Sequence, residues 1–258
     1  MGLSVVTKGE ARSKILTNVN DLYSRYTSTA SLVSGTDEEA VLTWSKSYFL
    51  ANYARLLPAD KSARILEIGC GYGRYLMALS EMGYTNCYGI DVSDEQISYA
   101  KSVLRLSQVE RADALEWLLG NEAKFDCILG LDVLEHFQTD ELLDLGKKIH
   151  NALKPMGTAI FQVPNGMSPI NPFLYGDLTH VRAFTPQSMR QFLLYVGLMP
   201  CGYFEIPPDG HLRGILWAIL KPCIGVLVRV IHGKQLGGHI YTSNFAALAR
   251  KTKRSAES

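Results

Sequence analysis

A glycine-rich turn follows a short apolar segment, and its residue types indicate ligand binding. Ile65–Ile68 is predicted to be a strand, and Gly69, Gly71 and Gly73 follow it with the spacing G-x-G-x-G. Glycine allows positive φ and a close approach of the backbone to a ligand, which at the carboxyl end of a strand in a doubly wound sheet is usually nucleotide-like. The spacing differs from the dinucleotide pattern G-x-G-x-x-G. Because Glu67 would repel a pyrophosphate, the turn favours a ligand that carries an ammonium or sulfonium group.

Two aspartates follow the next predicted strands and indicate contacts to a nucleoside. Asp91 ends the second strand, where a carboxylate can accept hydrogen bonds from both hydroxyls of a ribose. Asp113 follows the third strand, where its carboxylate and the backbone N–H of Ala114 can contact the edge of an adenine. Each aspartate is also well placed to be the N-cap of the helix that follows it. Both interpretations stay open, and for Asp91 the two roles are compatible.

A polar loop after the fifth predicted strand carries candidate acid–base residues. Asp177, His180 and Arg182 lie close together in a segment rich in proline, glycine and asparagine that spans residues 164–186. Histidine is the natural general base near neutral pH, and Asp177 is expected to orient His180. The alternative is structural, with Asp177 and His180 holding the loop in place before the next helix.

Apolar runs alternate with amphipathic stretches around these residues, which predicts an α/β fold. Seven strands are expected, at Ile65–Ile68, Tyr88–Ile90, Val109–Ala112, Phe125–Leu131, Thr158–Val163, Cys201–Ile206 and Thr242–Ala249. Helices are expected from a cap at Asp37 to Leu57 and at Tyr75–Glu81, Ser93–Leu106, Asp140–Leu153 and Pro186–Val196. Because the strands lack polar alternation, both faces of the sheet are expected to be covered, as in a parallel, doubly wound sheet.

The predicted elements divide the chain into five parts. They are an N-terminal helical cap (1–62), a ligand-binding core (63–206), an apolar helical insertion (207–240), a final strand (241–250) and a basic tail (251–258). The net charge of +1 gives no support to nucleic-acid binding, so no nucleic acid is expected as a partner. The five cysteines form no C-x-x-C pair, and residues 1–11 lack an apolar signal region. Both observations favour a reducing, cytoplasmic location.

The insertion is unusually apolar between residues 212 and 232. Pro222 is expected to interrupt it, which would leave two apolar halves too short to span a bilayer. One interpretation is a helical lid or a dimer element packed on the edge of the sheet. The other is a helix at a membrane interface, with its arginines and lysine reaching anionic headgroups and the basic tail assisting. The second interpretation would place the protein at the inner face of the membrane. The oligomeric state stays open.

The glycines and acids together resemble the class I S-adenosylmethionine-dependent methyltransferase family. The resemblance covers about residues 35–205 and the final strand. It implies a Rossmann-like seven-stranded sheet with an antiparallel last strand, and S-adenosylmethionine as the cofactor. The cofactor-binding residues that it implies are Glu67, Gly69, Gly71, Gly73, Asp91, Val92, Asp113, Ala114 and Leu131.

The segment after the fourth strand is similar to that of ubiquinone-biosynthesis O-methyltransferases. This similarity implies a divalent metal, such as Mg²⁺, at Asp132, Glu135 and His136. Two alternatives stay open: His136 acts as a base or a substrate contact, or the segment is structural. The loop that carries His180 resembles methyltransferases of polysaccharide and lipopolysaccharide biosynthesis.

These resemblances imply an enzyme that O-methylates a sugar hydroxyl of a surface glycan or its lipid-linked precursor, with His180 or His136 as general base. A phenolic or quinone-like small molecule is the alternative acceptor. A third hypothesis is a non-catalytic module that binds S-adenosylmethionine.

Overall fold

A seven-stranded sheet forms the centre of the chain in a computed structural model that describes residues 38–169, 171, 174, 176–232 and 240–253. Its strands are β1 (Ile65–Ile68), β2 (Cys87–Asp91), β3 (Val109–Arg111), β4 (Phe125–Leu131), β5 (Leu153–Pro164), β6 (Leu198–Glu205) and β7 (Asn244–Lys251). They lie in the order β3-β2-β1-β4-β5-β7-β6. Strands β1 to β5 are parallel, and β7 runs antiparallel to both β5 and β6. The predicted Rossmann-like sheet with an antiparallel last strand is therefore confirmed.

Helices connect the strands and cover the sheet. They are α1 (Glu38–Tyr53), α2 (Arg74–Glu81), α3 (Asp94–Ser102), α4 (Ala114–Trp117), α5 (Thr139–Ala152), α6 (Pro186–Tyr195) and α7 (His211–His232), with 3₁₀ turns at Ala54–Leu56 and Leu134–His136. The cap predicted at Asp37 lies outside the described residues. The boundaries predicted for the N-terminal cap and the basic tail stay predictions, since both regions are described only in part.

The largest difference from the predicted strand boundaries is in β5, which begins at Leu153 rather than at Thr158, and the last two strands are shifted as well. The strand expected at Cys201–Ile206 is Leu198–Glu205, and the strand expected at Thr242–Ala249 is Asn244–Lys251. The two strands pair with each other, from Leu198 opposite Lys251 to Glu205 opposite Phe245. Pairing across the sheet therefore sets the ends of these two strands, and the hydropathy of each segment alone does not predict where they lie.

Strand β4 shows why these strands lack polar alternation. Successive side chains of a strand point to opposite faces of the sheet. Cys127 and Leu129 belong to the apolar cluster under α1, α2 and α3, whereas Ile128 between them belongs to the cluster under α4, α5 and α6. Phe125 also belongs to the second cluster, because a bulge between Phe125 and Cys127 shifts the alternation there. All four side chains are fully buried. Helices on both faces thus require apolar residues at consecutive positions.

Residues 211–232 of the insertion form one uninterrupted helix, which corrects the expectation that Pro222 breaks it. Proline lacks the N–H that would bond to the carbonyl of Ala218, but the helix continues for ten residues beyond it, to His232. Both residues lie on the exposed side of α7, so no core packing is disturbed there. Among the described residues, Leu212–Ile231 is the one helix that is long and apolar enough to cross a membrane by length and composition.

Helices α5 and α6 pack closely at Gly146, so a larger residue there is expected to reduce stability. A Cβ atom there would lie 2.7 Å from the Phe192 ring and from Val196 Cγ1. We expect Gly146→Ala to lower the free energy of unfolding by about 1–3 kcal/mol, because the buried ring has little room to move. In Gly214→Ala, the matched control in α7, the new Cβ meets no atom within 4 Å. Urea unfolding of both variants checks the prediction, and equal stabilities would contradict it.

Candidate active site

The predicted glycine turn joins β1 to α2 at the carboxyl edge of the sheet. Gly69, Gly71 and Gly73 all have positive φ, between 54° and 86°. A side chain at Gly69 would in addition place its Cβ 2.8 Å from Cγ2 of Val133. Positive φ combined with this close packing explains why glycine occupies the turn.

Glu67 lies in β1 just before the turn and is almost completely buried. Its Oε2 atom has no hydrogen-bond partner among the described residues. Burial raises the pKa of Glu67 to about 8, while Arg74 opposes and Asp91 adds to this rise. A buried carboxyl with an unsatisfied oxygen fits a positively charged ligand group better than a phosphate.

Asp91 ties the turn to the start of α3. Its Oδ2 accepts a hydrogen bond from the Gly71 N–H at 2.8 Å, and its Oδ1 accepts one from the Ser93 N–H at 2.8 Å. Burial raises the pKa of Asp91, and these backbone hydrogen bonds oppose the rise. Each carboxylate oxygen has a second lone pair, so the arrangement is compatible with the predicted contact to ribose hydroxyls. Val92 follows and is exposed.

Asp113 is the N-cap of α4. Its Oδ1 accepts hydrogen bonds from the N–H groups of Leu115 at 2.7 Å and Glu116 at 3.4 Å. The capping role that the sequence left open is therefore present. The adenine contact of Asp113 and Ala114 stays a prediction.

A buried polar network that the sequence analysis missed lies beside β5. Gln162 Oε1 accepts hydrogen bonds from the hydroxyls of Tyr48, at 2.7 Å, and of Tyr53. Gln162 Nε2 donates to Asp132 Oδ2 at 2.5 Å. The signal in the sequence was a glutamine in the apolar run Ala159–Val163. A buried amide in a central strand requires several hydrogen-bond partners, so this glutamine indicated a polar network. The network connects α1 to Asp132, directly after β4.

Asp132 follows the buried Leu131 in a left-handed conformation with φ of 54°. Its Oδ1 has no hydrogen-bond partner among the described residues. Burial raises the pKa of Asp132, and Arg74 opposes the rise. This backbone conformation is uncommon outside glycine and marks strain that is typical of functional sites.

Arg74, in the first turn of α2, is a second residue that the sequence analysis missed. Burial opposes its charge, but the nearby Tyr75, Tyr72, Asp132 and Glu67 outweigh this effect and raise the pKa of Arg74. A cation at a helix N-terminus is unfavourable. An arginine directly before the predicted helix Tyr75–Glu81 was therefore the signal in the sequence that this residue has another role. Arg74 supplies positive charge between Glu67 and Asp132.

The two candidate bases, His136 and His180, lie together beyond β4. Their rings pack edge to face with centroids 4.8 Å apart. His180 Nδ1 contacts the Leu174 carbonyl at 3.1 Å. Because a carbonyl only accepts hydrogen bonds, Nδ1 carries the proton, and the lone pair of the neutral ring is at Nε2.

Asp177 is linked to His136 through Thr179, a connection that the sequence analysis missed. Its Oδ1 accepts hydrogen bonds from the Thr179 hydroxyl at 2.6 Å and the Thr179 N–H at 2.8 Å. The Thr179 oxygen contacts His136 Nδ1 at 2.8 Å. Burial and the neighbouring His180 lower the pKa of His136 to about 4, so its ring is neutral at pH 7.

Glu135 completes this cluster from a fully buried position. Neither carboxyl oxygen has a hydrogen-bond partner among the described residues, and Oε1 lies 3.9 Å from His180 Nε2. Burial, followed by the charge of Asp132, raises the pKa of Glu135 well above its usual range.

The potential metal ligands differ from those that the sequence predicted. Among the described residues, ligand atoms of Glu135, His136 and His180 lie within 4.8 Å of one another, and Asp132 is not part of this group. Two imidazoles with one carboxylate suit a transition metal better than Mg²⁺. The unpartnered oxygens of Glu135 fit either a cation or a bound proton, so a metal stays a prediction.

Residues 42–200 match the family model of the methyltransferase domain. The chain belongs to this family. In this family we expect S-adenosylmethionine to bind at the carboxyl edge of the sheet, beside the glycine turn. The residues present fit this cofactor, because Glu67 and Asp132 each have an unsatisfied buried oxygen beside the turn.

Known proteins of this family share either part of the sequence or the fold. The 27-O-demethylrifamycin SV methyltransferase of Amycolatopsis mediterranei is 30% identical over 39% of this chain and 39% of its own. The chain spans less than half the length of the curated relatives that it matches.

Two solved structures show the fold. A SAM-dependent methyltransferase from Archaeoglobus fulgidus superposes with a TM-score of 0.62 at 22% identity, over 81% of this chain and 94% of that chain. The 1,6-didemethyltoxoflavin-N1-methyltransferase of Burkholderia thailandensis, solved with S-adenosylhomocysteine, has a TM-score of 0.57 at 18% identity, over 98% and 94% of the two chains.

Glu67 is expected to release a proton when S-adenosylmethionine binds. With a pKa of about 8, the ligand-free methyltransferase holds this carboxyl protonated at pH 7, and a cationic ligand group beside it lowers the pKa. Calorimetric titration in two buffers of different ionisation enthalpy should therefore give different observed enthalpies.

Glu67→Gln should remove this buffer dependence and weaken binding, whereas the control Glu95→Gln, at an exposed position, should retain it. Identical enthalpies in both buffers for the unmodified protein would show that Glu67 keeps its proton.

Proposed function

We propose that this protein is an O-methyltransferase in which His180 takes the proton of the acceptor hydroxyl. S-adenosylmethionine supplies a methyl group on a sulfonium, which is an excellent leaving group. An alcohol oxygen becomes a good nucleophile only as its proton leaves. In the transfer, the oxygen–carbon bond forms, the carbon–sulfur bond breaks, and the hydroxyl proton moves to His180 Nε2.

The geometry of the His180 ring carries this proposal. Its Nδ1 is held by the Leu174 carbonyl, so the basic nitrogen of the neutral ring is Nε2. The ring lies beside the segment that directly follows β4, at the carboxyl edge of the sheet where ligands bind in this topology.

His136 is assigned a positioning role rather than that of the base. A pKa of about 4 makes its neutral form a weak proton acceptor, and the best general bases have pKa values near the working pH. Thr179 holds His136, and His136 packs against His180. His136 therefore keeps the His180 ring in one orientation.

The acceptor class that we propose is a sugar hydroxyl of a surface glycan or its lipid-linked precursor. The curated relative from Amycolatopsis is named for methylation at an oxygen, which supports a hydroxyl acceptor. A phenol differs in one testable respect: its pKa is near 10, so it needs less help from a base than an alcohol does.

Removal of the base should slow the reaction without loss of the cofactor. We expect His180→Ala to lower kcat by about 10²–10⁴-fold, with the Kd for S-adenosylmethionine within about twofold, because the glycine turn and Asp91 stay intact. The control is His150→Ala, in α5 and outside the cluster. Near-normal turnover of His180→Ala would remove His180 from the mechanism.

A panel of acceptors identifies the substrate class and tests the metal. Methyl transfer from labelled S-adenosylmethionine is measured with lipid-linked sugars, free sugars, phenols and quinols, each with and without a chelator. We expect turnover of sugars and a larger loss for His180→Ala on sugars than on phenols. Turnover of phenols alone would contradict the proposed acceptor, and loss of activity with the chelator would assign Glu135, His136 and His180 to a metal.

A further inference from the structure

Helix α7 exposes a large apolar surface. Nine large apolar side chains between Leu212 and Ile231 are exposed by 46–77%. A helix of 22 residues is about 33 Å long. A continuous exposed apolar face of this length normally marks an interaction surface.

One narrow strip of α7 faces the rest of the protein. The partly buried residues recur at helical spacing and are Gly214, Trp217, Lys221, Ile224, Gly225 and Val228. Lys221 Nζ pairs with Glu205 Oε2 at 2.5 Å, and the Tyr241 ring lies 3.7 Å from the position of a Cβ atom on Gly225. The contacts of Lys221 and Gly225 thus hold the middle of α7 to the rest of the protein.

The charges of α7 sit at the borders of its apolar face. Arg213 and Arg229 are sixteen residues apart, which places them about 160° apart around the helix axis, on either side of the exposed apolar residues. The helix contains no acidic residue. Its third cation, Lys221, points inward to Glu205.

We propose that α7 lies in the plane of a lipid surface, with its apolar face among the acyl chains and Arg213 and Arg229 on anionic headgroups. Arginine at the edge of an apolar face extends its charge to the level of the phosphates. A second copy fits less well, because antiparallel pairing of two α7 helices places Arg213 against Arg229 and the helix itself carries no acid. Asp209, which precedes α7, offsets the charge of Arg213 alone. A spanning orientation conflicts with the contacts of Lys221 to Glu205 and of Gly225 to Tyr241, which hold the middle of α7 to the protein.

Helix α7 also begins at the edge of the sheet that carries the active site. Strand β6 runs in the same direction as β1 to β5, since both β5 and β6 are antiparallel to β7. Its last residue, Glu205, therefore lies at the carboxyl edge, and α7 starts six residues later. A membrane at α7 thus lies on the same edge of the sheet as the candidate active site, although lipid binding itself does not depend on the proposed methyl transfer.

Sedimentation of the full chain with vesicles tests the proposal without any acceptor. We expect binding to phosphatidylcholine vesicles that contain about 30% phosphatidylglycerol, and at least tenfold weaker binding to phosphatidylcholine alone. The variant Leu227→Glu should bind the anionic vesicles at least tenfold more weakly. Leu119→Glu is the matched control, since Leu119 and Leu227 are exposed by 61% and 59%, and it should bind as the unmodified protein does.

The charge and the orientation have separate tests. Arg213→Gln with Arg229→Gln should reduce the preference for anionic vesicles by at least tenfold, with an unchanged midpoint of thermal unfolding. Equal binding of Leu227→Glu and Leu119→Glu would overturn the proposal. So would a concentration-dependent dimer that Leu227→Glu dissociates while vesicle binding persists, or retention of the chain in membranes after an alkaline wash, which indicates a spanning helix.

Discussion

Burial of carboxyl groups at the carboxyl edge of the sheet is the constraint on which the site depends. Glu67, Asp132 and Glu135 lie at this edge, and burial raises the pKa of each. Buried polar atoms without partners reduce stability. These three carboxyl groups are nevertheless buried, because β1 and β4 are covered on both faces. The result is a place where positive charge or a proton is bound strongly, and Arg74 is the cation that the chain itself supplies there.

The two halves of the site are built in different ways. The cofactor half is local, because the glycine turn, Asp91 and the start of α3 lie within one strand–helix–strand unit. The acceptor half depends on contacts between distant segments. Arg182 Nε donates to the Phe137 carbonyl at 3.0 Å, and the Val181 N–H donates to the Glu135 carbonyl at 3.0 Å. These bonds fasten the histidine-bearing loop onto the segment after β4.

Features that depend on local contacts could be predicted from the sequence, whereas features that depend on contacts between distant segments could not. The glycine turn was predictable because positive φ is a local demand, and the central strands β1, β4 and β5 were predictable because they are mostly apolar. The partners of Gln162 were not, since Tyr48 lies 114 residues away. Asp177 was assigned to the nearby His180, whereas Thr179 connects it to His136, 43 residues earlier. The continuity of α7 through Pro222 was missed because the local penalty of proline was taken as decisive.

The position of β7 between β5 and β6 has a consequence for synthesis of the chain. Within the part of the chain that the structure describes, β6 has no neighbour other than β7 in the sheet, and β7 follows it by almost forty residues. A nascent chain on the ribosome therefore carries β5 and β6 with open edges until residues 244–251 have emerged. Open edges pair readily with other chains, so this interval is when a chaperone would protect the protein most.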